Sequence, residues 1–408
     1  MFVSRHKGCG ALFLAERRTL IGDKYVNTYI DEISALFADS LIIEQTNRLY
    51  DRGKIAVEGV VFSNAIDFIC YIERFLFKIL FPGKVKKIRK DVSGQISKPL
   101  EKILEVYNSE DCFESSLSFM VNAIILFTVA RRLYRRYIYK LHPRIIVEEC
   151  HYNLFHMISS DIAHELDIPV VELQHGTMHE DHIAYQYGYD VHIPLLPDYI
   201  FTFSDYWNHI ANLPKSSTQL ISTGFPYFEE QVAKTKENTR SKDSRTTIIF
   251  LSSGLETKLD VVACQLTDML DHDKYRVIYK LHPFEYNNAE SEYSDLLSRG
   301  IELKREKPGL YELFAVSDIQ VGTFTTAIYE GLGFGLRTYI LNEGFSDTMR
   351  HLEEGQYATF FNNPEELHKL VLYGRSGNAE ELTEFWAPNA LENIKMELNI
   401  IAFPRAVE

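Results

Sequence analysis

The spacing of apolar positions changes along this chain, and the changes divide it. RIIVEEC (144–150) is a β-branched run, NLFHMISSDIAHELD (153–167) repeats apolar residues at helical intervals, and PVVELQHG (169–176) is strand-like again. PDYIFTFSD (197–205) and TQLISTGFP (218–226) extend the series. A second series begins with TTIIFLSSG (246–254), a helix over about 257–271, YRVIYKLHP (275–283), a helix near 289–298 and IELKRE (301–306). YELFAVS (311–317), DIQVGTF (318–324), a helix from Thr326, RTYILN (337–342) and one more strand–helix pair complete it. Apolar strands alternating with helices predict α/β architecture, with parallel sheets covered on both faces.

Between the two series, EEQVAKTKENTRSKDSR (229–245) is polar and has no apolar period, so it reads as a linker. The predicted organisation is an N-terminal domain over 1–228, the linker over 229–245, and a C-terminal domain over 246–378. A last helical stretch, 379–408, contains Trp386 and crosses back to the first domain. Two doubly wound domains joined in this way leave a cleft between the C-terminal ends of their strands, where open α/β sheets bind ligands.

Residues 1–140 fit neither series. FMVNAIILFTVA (119–130) runs for twelve residues, short of the roughly 20 that a spanning helix needs. Residues 60–81 are longer but are interrupted by Asp67, Glu73, Arg74 and Lys78, so neither segment is expected to span a bilayer. Each precedes a basic tract, GKVKKIRK (83–90) and RRLYRRYIYK (131–140). The plain expectation is core helices with solvated ends. The sharper one is docking of the basic tracts on an anionic membrane surface.

Composition narrows the class. A chain of 408 residues, 46% hydrophobic and 25% charged, is globular. Its net charge of −14 opposes phosphate backbones, which excludes a nucleic-acid partner. The five cysteines are scattered and never spaced as CxxC, which suits reduced thiols in a cytoplasmic compartment. The N-terminus MFVSRHKGCG has no apolar core, so no signal peptide is expected.

The residues that suit chemistry gather at strand ends. In KLHP, strand alternation puts Lys280 and His282 on one face, and Pro283 stops the strand. Such a pair suits an anion, most simply phosphate, unless both sit on a solvated strand end. In QVGTFTTAIYEGLGFG (320–335), Thr323, Thr325 and Thr326 lead into a helix whose free N–H groups suit an anion. Plain N-capping is the alternative for the threonines. Glu330 lies one turn past Thr326, placed to accept hydrogen bonds from ribose hydroxyls. Ser252, Ser253 and Gly254 form a third polar turn in the same domain, and three such loops converge on phosphate.

In the other domain, QHGT (174–177) occupies the corresponding strand end. His175 is placed to act as general base on an acceptor hydroxyl, because imidazole exchanges protons near neutral pH. Glu149 or Glu148, one strand away, would orient it or bind the acceptor, with Gln174, Gly176 and Thr177 on the acceptor side. Gly176 permits a tight turn or close backbone approach. Seven of the 14 histidines lie between His151 and His192, and His175, His179 and His182 have ligand-like spacing. A metal is nonetheless not expected: HxxxH needs a helix, and Gly176–Thr177 disfavours one. DHD (271–273) falls before a strand, on the side away from the cleft.

The order QHGT, TGFP (223–226), KLHP, TFTTAIYEGLGFG (323–335) resembles GT-B glycosyltransferases of bacterial surface polysaccharides, over roughly residues 141–375. It is most similar to the capsule-synthesis group that includes CMP-Kdo and CMP-sialic acid transferases. It also resembles CDP-glycerol and CDP-ribitol phosphotransferases, whose pattern is HGT, HP and a Ser-Ser helix start. The resemblance implies two facing Rossmann-like domains and a nucleotide-sugar donor, CMP-linked as first choice. It further implies a glycan or glycolipid acceptor, no cofactor or metal, and a cytoplasmic enzyme peripheral to the inner face of the plasma membrane. By position, His175 matches the catalytic HGT histidine and His282 the donor-phosphate histidine. Thr325 and Thr326 match the phosphate-holding pair, and Glu330 the acidic residue after it. Thr323 stands where the phosphotransferases carry an acidic residue, and their tryptophan-containing lead into HGT is missing. Both departures favour sugar transfer. A phosphotransferase attacking at phosphorus and a nucleotide-sugar hydrolase or epimerase of the same fold are the alternatives.

Overall fold

A computed structural model describes residues 8–16, 18–44, 54–107, 110–237, 244–255, 257–287, 289–374 and 382–403. The first domain contains β1 (Ala11–Ala15), a hairpin of β2 (Thr19–Ile21) and β3 (Lys24–Val26), β4 (Ser40–Glu44) and β5 (Val60–Phe62). After three helices come β6 (Ile145–Glu148), β7 (Val170–Leu173), β8 (Tyr199–Thr202) and β9 (Gln219–Ser222). Seven of these strands form one sheet in the order β5-β4-β1-β6-β7-β8-β9, every pair parallel. In the second domain β10 (Thr246–Leu251), β11 (Tyr275–Lys280), β12 (Glu302–Lys304), β13 (Ile319–Gly322), β14 (Arg337–Leu341) and β15 (Ala358–Phe361) form a sheet ordered β12-β11-β10-β13-β14-β15. It is parallel throughout as well.

Strand order reverses between β1 and β6 in one sheet and between β10 and β13 in the other, which marks the crevices where ligands bind. The strands read as unbroken apolar runs because both sheet faces are covered. ALFLA of β1 is buried at all five positions. Leu12 and Leu14 face one core, and Ala11, Phe13 and Ala15 face the other.

The N-terminal third therefore holds three sheet strands and a helical arm of Asn64–Leu80, Pro82–Tyr107 and Glu110–Leu141. Within that arm Phe113–Leu141 is, among the described residues, the one helix long and apolar enough to cross a bilayer. Its second half lies instead against the sheet, where Leu126, Val129, Tyr134, Ile138 and Leu141 join the core. Part of the basic tract 131–140 is paired within the protein: Arg131 with Asp161 and Glu165, Arg135 with Glu165 at 3.1 Å, and Arg132 with Glu73 at 3.4 Å. Arg132, Arg135, Arg136 and Lys140 remain exposed.

The stretch expected as a linker is helical as far as it is described, Pro226–Glu237, with Val232 packed on the core. One exposed face and one core contact per turn leave too weak an apolar period to read. The last helix, Ala390–Ala402, lies in the first domain, with Ile394, Leu398 and Ala402 packed in the core of Phe13 and Ile30. Aromatic rings join the domains: Trp207 lies 4.9 Å from Tyr329, and Phe228 lies 6.1 Å from Phe334.

Candidate active site

Parallel pairing aligns the C-terminal ends of β6, β7 and their neighbours, and the first unusual group there is inside a strand. Glu172 is buried in β7, an apolar element with no room for an unpaired charge. It is satisfied twice over. His151 Nδ1 lies 2.6 Å from one carboxylate oxygen, and Tyr185 OH donates to the other at 2.7 Å. The other ring nitrogen of His151 donates to the Ala184 carbonyl at 3.1 Å, so both nitrogens carry protons. Burial opposes charge on Glu172, but His151 and then His175 outweigh it and hold the carboxyl at about 2. Burial likewise opposes charge on His151, and Glu172 reverses the balance and raises its pKa.

This pair supports His175. Its Nδ1 is 3.6 Å from the Tyr185-bound oxygen of Glu172, and Tyr152 OH meets its Nε2 at 2.9 Å. Tyr29 OH, from the loop after the β2–β3 hairpin, donates to the His175 carbonyl at 2.9 Å. Gln174 fixes the turn: its amide NH2 donates to the Gly176 carbonyl at 2.8 Å, and its oxygen accepts from Phe203 N–H at 2.7 Å. Gln174 is thus a brace, with its amide already engaged. Gly176 does not adopt a positive φ, so turn geometry does not require glycine. A Cβ there would meet nothing within 4 Å, which leaves the backbone open to close approach. Thr177 is half-buried beside it.

Of the two glutamates assigned to His175 from sequence, Glu149 lies within electrostatic reach of it, while the charges acting on Glu148 are those of Glu172, His151 and His164. Glu148 and Glu149 point to opposite faces of the sheet, as strand alternation demands. Glu148 lies beneath the helix Leu154–Glu165, where Ser160 OH donates to it at 3.3 Å. Burial, reinforced by Glu172, pushes its pKa up to about 8, and its side chain is closed off from solvent. Glu149 accepts from Glu16 N–H at 3.0 Å and from the Asn27 side chain at 2.7 Å. It anchors the loop that carries Tyr29, and Glu172 is the carboxylate next to His175.

On the opposite side, Ser252, Ser253 and Gly254 follow β10, and His282 follows β11. Ser252 OH donates to Glu285 at 2.7 Å, and Ser253 Oγ is buried without a hydrogen-bond partner. Gly254 has φ +71°, and a Cβ on it would lie 2.6 Å from His282 Nδ1. Glycine is needed there on both counts. His282 caps the short turn Pro283–Glu285: its Nδ1 accepts from Phe284 N–H at 3.3 Å, while Glu285 accepts from His282 N–H at 2.7 Å.

Lys280 does not accompany His282. Its amine donates to the Arg305 carbonyl at 2.5 Å, the Leu281 carbonyl at 3.1 Å and Tyr286 OH at 3.2 Å, along the edge of the sheet. Burial, against the pull of Glu306 and Glu285, lowers its pKa to about 8. The strand ends at Lys280, so period-two alternation does not carry on to His282.

Thr325 is the N-cap of Thr326–Gly333, accepting from Ala327 N–H at 3.3 Å, and Thr326 opens the helix. Thr323 is buried with its hydroxyl unpaired. Glu330 bonds to Tyr311, and burial raises its carboxyl to about 7. Tyr311 also has Tyr29 and Tyr227 for neighbours. Tyr29, which donates to the His175 carbonyl, thus lies in the electrostatic neighbourhood of Tyr311 and Glu330. A second crossing lies 5.4 Å between ring centres, from His179 to Phe324, which stands between Thr323 and Thr325. The Thr323–Thr326 loop of the second domain therefore packs against the His175–His182 loop of the first.

His175, His179 and His182 each have Nδ1 buried without a hydrogen-bond partner. Even so, among the described residues no group of three or more His, Cys, Asp and Glu side chains is arranged to hold a metal ion. In DHD, Asp271 caps its own turn, accepting from Asp273 N–H at 3.0 Å and pairing with Lys274 at 2.8 Å. Sequence reading missed His151, Tyr152, Tyr185, Tyr29 and Tyr311. The one available signal was Glu172, a carboxylate inside VVEL that had to find partners.

No family model matches this chain, and no curated protein matches it. Solved structures do. A UDP-GlcNAc 2-epimerase from Methanocaldococcus jannaschii is 11% identical with TM-score 0.55, covering 95% of this chain and 99% of that one. The enzyme from Neisseria meningitidis bound to UDP-GlcNAc is 11% identical with TM-score 0.54 and the same coverages, 95% and 99%. S. aureus MnaA with UDP is 11% identical with TM-score 0.53, covering 96% of each chain. At this identity the likeness is one of fold: two Rossmann-like sheets facing each other, the GT-B arrangement.

Proposed function

We propose that this protein is a metal-independent glycosyltransferase. It moves a sugar from a nucleotide-activated donor to a surface polysaccharide or glycolipid acceptor on the cytoplasmic side. The first-choice donor is a CMP-linked acidic sugar such as Kdo or sialic acid. The observation that carries this reading is the loop of His175, backed by Glu172, packing through His179 against Phe324 beside the Thr325–Thr326 helix start. Supporting it, the fold is shared with proteins crystallised with UDP-GlcNAc or UDP.

In the transfer step the acceptor oxygen attacks the anomeric carbon and the carbon–oxygen bond to the donor phosphate breaks. The nucleotide leaves with the electron pair. His175 takes the acceptor proton at Nε2, where Tyr152 OH now sits. Its other nitrogen faces Glu172, which stabilises the imidazolium that forms. The departing phosphate gains charge beside His282, the Ser253 and Thr323 hydroxyls and the N–H groups at Thr326. Glu330 receives the ribose hydroxyls. Lys280 is left out of this set, since its amine is occupied along the sheet edge.

A second reading has its own support: the neighbours named above include nucleotide-sugar 2-epimerases that span the whole chain. An epimerase must remove and return a proton at carbon, and a histidine–carboxylate pair suits that too.

A thermal-shift panel of CMP, CDP, UDP and GDP separates donors, because a ligand of the native state raises Tm by mass action. CMP giving the largest shift supports the proposal. A response to UDP alone, with UDP-GlcNAc converted to its 2-epimer by NMR, overturns it for the second reading. Transfer should persist in EDTA, and loss restored by manganese or magnesium would refute metal independence.

A further inference from the structure

The helix Asn64–Leu80 presents its apolar side to solvent. Phe68, Ile72, Phe75 and Ile79, spaced four, three and four residues apart, make one stripe, and Leu80 borders it. Phe68 is 65% exposed, Phe75 62%, Ile79 58% and Leu80 65%. The other side of the helix, where Ile66, Cys70 and Phe77 pack in the core, also carries Asp67, Glu73 and Lys78 toward Glu110–Leu141, while Arg74 stacks on Tyr71. Asp67 accepts from Tyr134 OH at 3.3 Å, Glu73 pairs with Arg132 at 3.4 Å, and Lys78 donates to Asn122. A surface helix of a soluble protein ordinarily keeps charged and polar residues on its outer side. From the neighbouring helix Phe119, 74% exposed and close to Asn122 in sequence, extends the patch.

We infer that this face is a docking surface for an anionic lipid bilayer. Charge selects that occupant. From Asn64 to Asp91 seven lysines and arginines stand against three carboxylates, in a chain whose net charge is −14. Lys84, Lys86, Lys87 and Lys90 follow the apolar stripe directly and are exposed. Lys84 lies 4.9 Å over the Phe81 ring, and Arg74 lies 4.9 Å over Tyr71. Aromatic rings with cations at the edge of an apolar face match the boundary between acyl chains and phosphate headgroups. A second copy of the chain on this face would oppose lysine to lysine. The helix begins just after β5, with Ser63 between, at the same end of the sheet as the His175 loop.

The inference stands apart from the transfer chemistry, since docking is measured with no nucleotide present. Full-length protein is floated with vesicles of phosphatidylcholine plus phosphatidylglycerol and with phosphatidylcholine alone. Anionic vesicles should carry the protein. Phe68→Ser/Phe75→Ser/Ile79→Ser should lower the bound fraction about tenfold or more with Tm unchanged, because these side chains have few internal contacts to lose. Lys86→Glu/Lys87→Glu should abolish the preference for anionic lipid, and it serves as the second variant if the triple one melts early. Wild type left unbound, or both variants floating like wild type, overturns the inference. So does self-association of wild type in sedimentation that the serine variant abolishes, which would make the face a protein interface.

Discussion

Glu172→Gln tests the buried pair under the candidate base. The substitution keeps the volume of the side chain and removes its charge, leaving the His151 imidazolium buried beside a neutral group. The cost follows from the carboxyl's own acidity. Displacement from an ordinary 4.5 to about 2, at about 1.4 kcal/mol per pH unit, is on the order of 3 kcal/mol. Removing one partner of a buried pair costs about 3–5 kcal/mol in general. Glu148 offsets part of this loss, since the charge of Glu172 is one cause of its raised pKa. A depressed carboxyl contributes fully above its unfolded value and loses that contribution as pH falls through about 2. A raised histidine contributes fully below its unfolded value of 6.5 and loses it as pH rises through the folded one. The pair is therefore worth most between 4.5 and 6.5. Urea unfolding near pH ~5.5 should show the variant less stable by about 3 kcal/mol, and near pH ~3 by about half that. Equal stability at the higher pH, or a difference that does not shrink on acidification, refutes the charged pair.

Other outcomes follow from the same geometry. His175→Ala should lower turnover by roughly 10²-fold with donor affinity unchanged, and His179→Ala and His182→Ala should be milder. Equal collapse in all three, with a bound metal lost from each by elemental analysis, would make the loop a metal site. His282→Ala should weaken CMP binding by calorimetry about 10- to 100-fold, the scale of a charge-assisted phosphate contact. Unchanged affinity would misplace the phosphate rim. Gly254→Ala brings a Cβ within 2.6 Å of His282 Nδ1 at φ +71°, so it should destabilise by about 1–2 kcal/mol and weaken CMP binding with it. Wild-type affinity in that variant would separate Gly254 from the donor site.

The second domain was legible because each of its strands stands between turn residues and a periodic helix. The first domain was half legible. ALFLA of β1 and LII within SLIIE of β4 are short apolar runs, and a run buried on both faces carries no period to separate strand from helix. The site was legible as a set of loops, since His175, the Ser252–Gly254 turn, His282 and the Thr323–Thr326 start all sit at strand ends. Its wiring was not. Lys280 needed the strand to continue past its own position, and Glu149 needed the face that Glu172 holds. Alternation within VVEL shows that Glu172 is internal, but only the fold reveals that His151 and Tyr185 reach it. For Asn64–Leu80 the period is plain in the sequence, yet which side meets the protein depends on neighbours 40 to 70 positions away, Asn122 and Tyr134 among them.

The return of Ala390–Ala402 to the first domain changes how this protein can be recombined. Because Ile394, Leu398 and Ala402 fill the core beside Phe13 and Ile30, the first domain is discontinuous, with the second inserted into it. A chimaera that exchanges donor specificity needs two junctions, one after Glu237 and one before Leu382, so that the final helix stays with its own core. A single junction would give each parent half of a foreign core, and a stop codon ahead of Ala390 would damage the first domain while leaving the second whole. A nick between Glu237 and Ser244 would leave two fragments held together by that same helix.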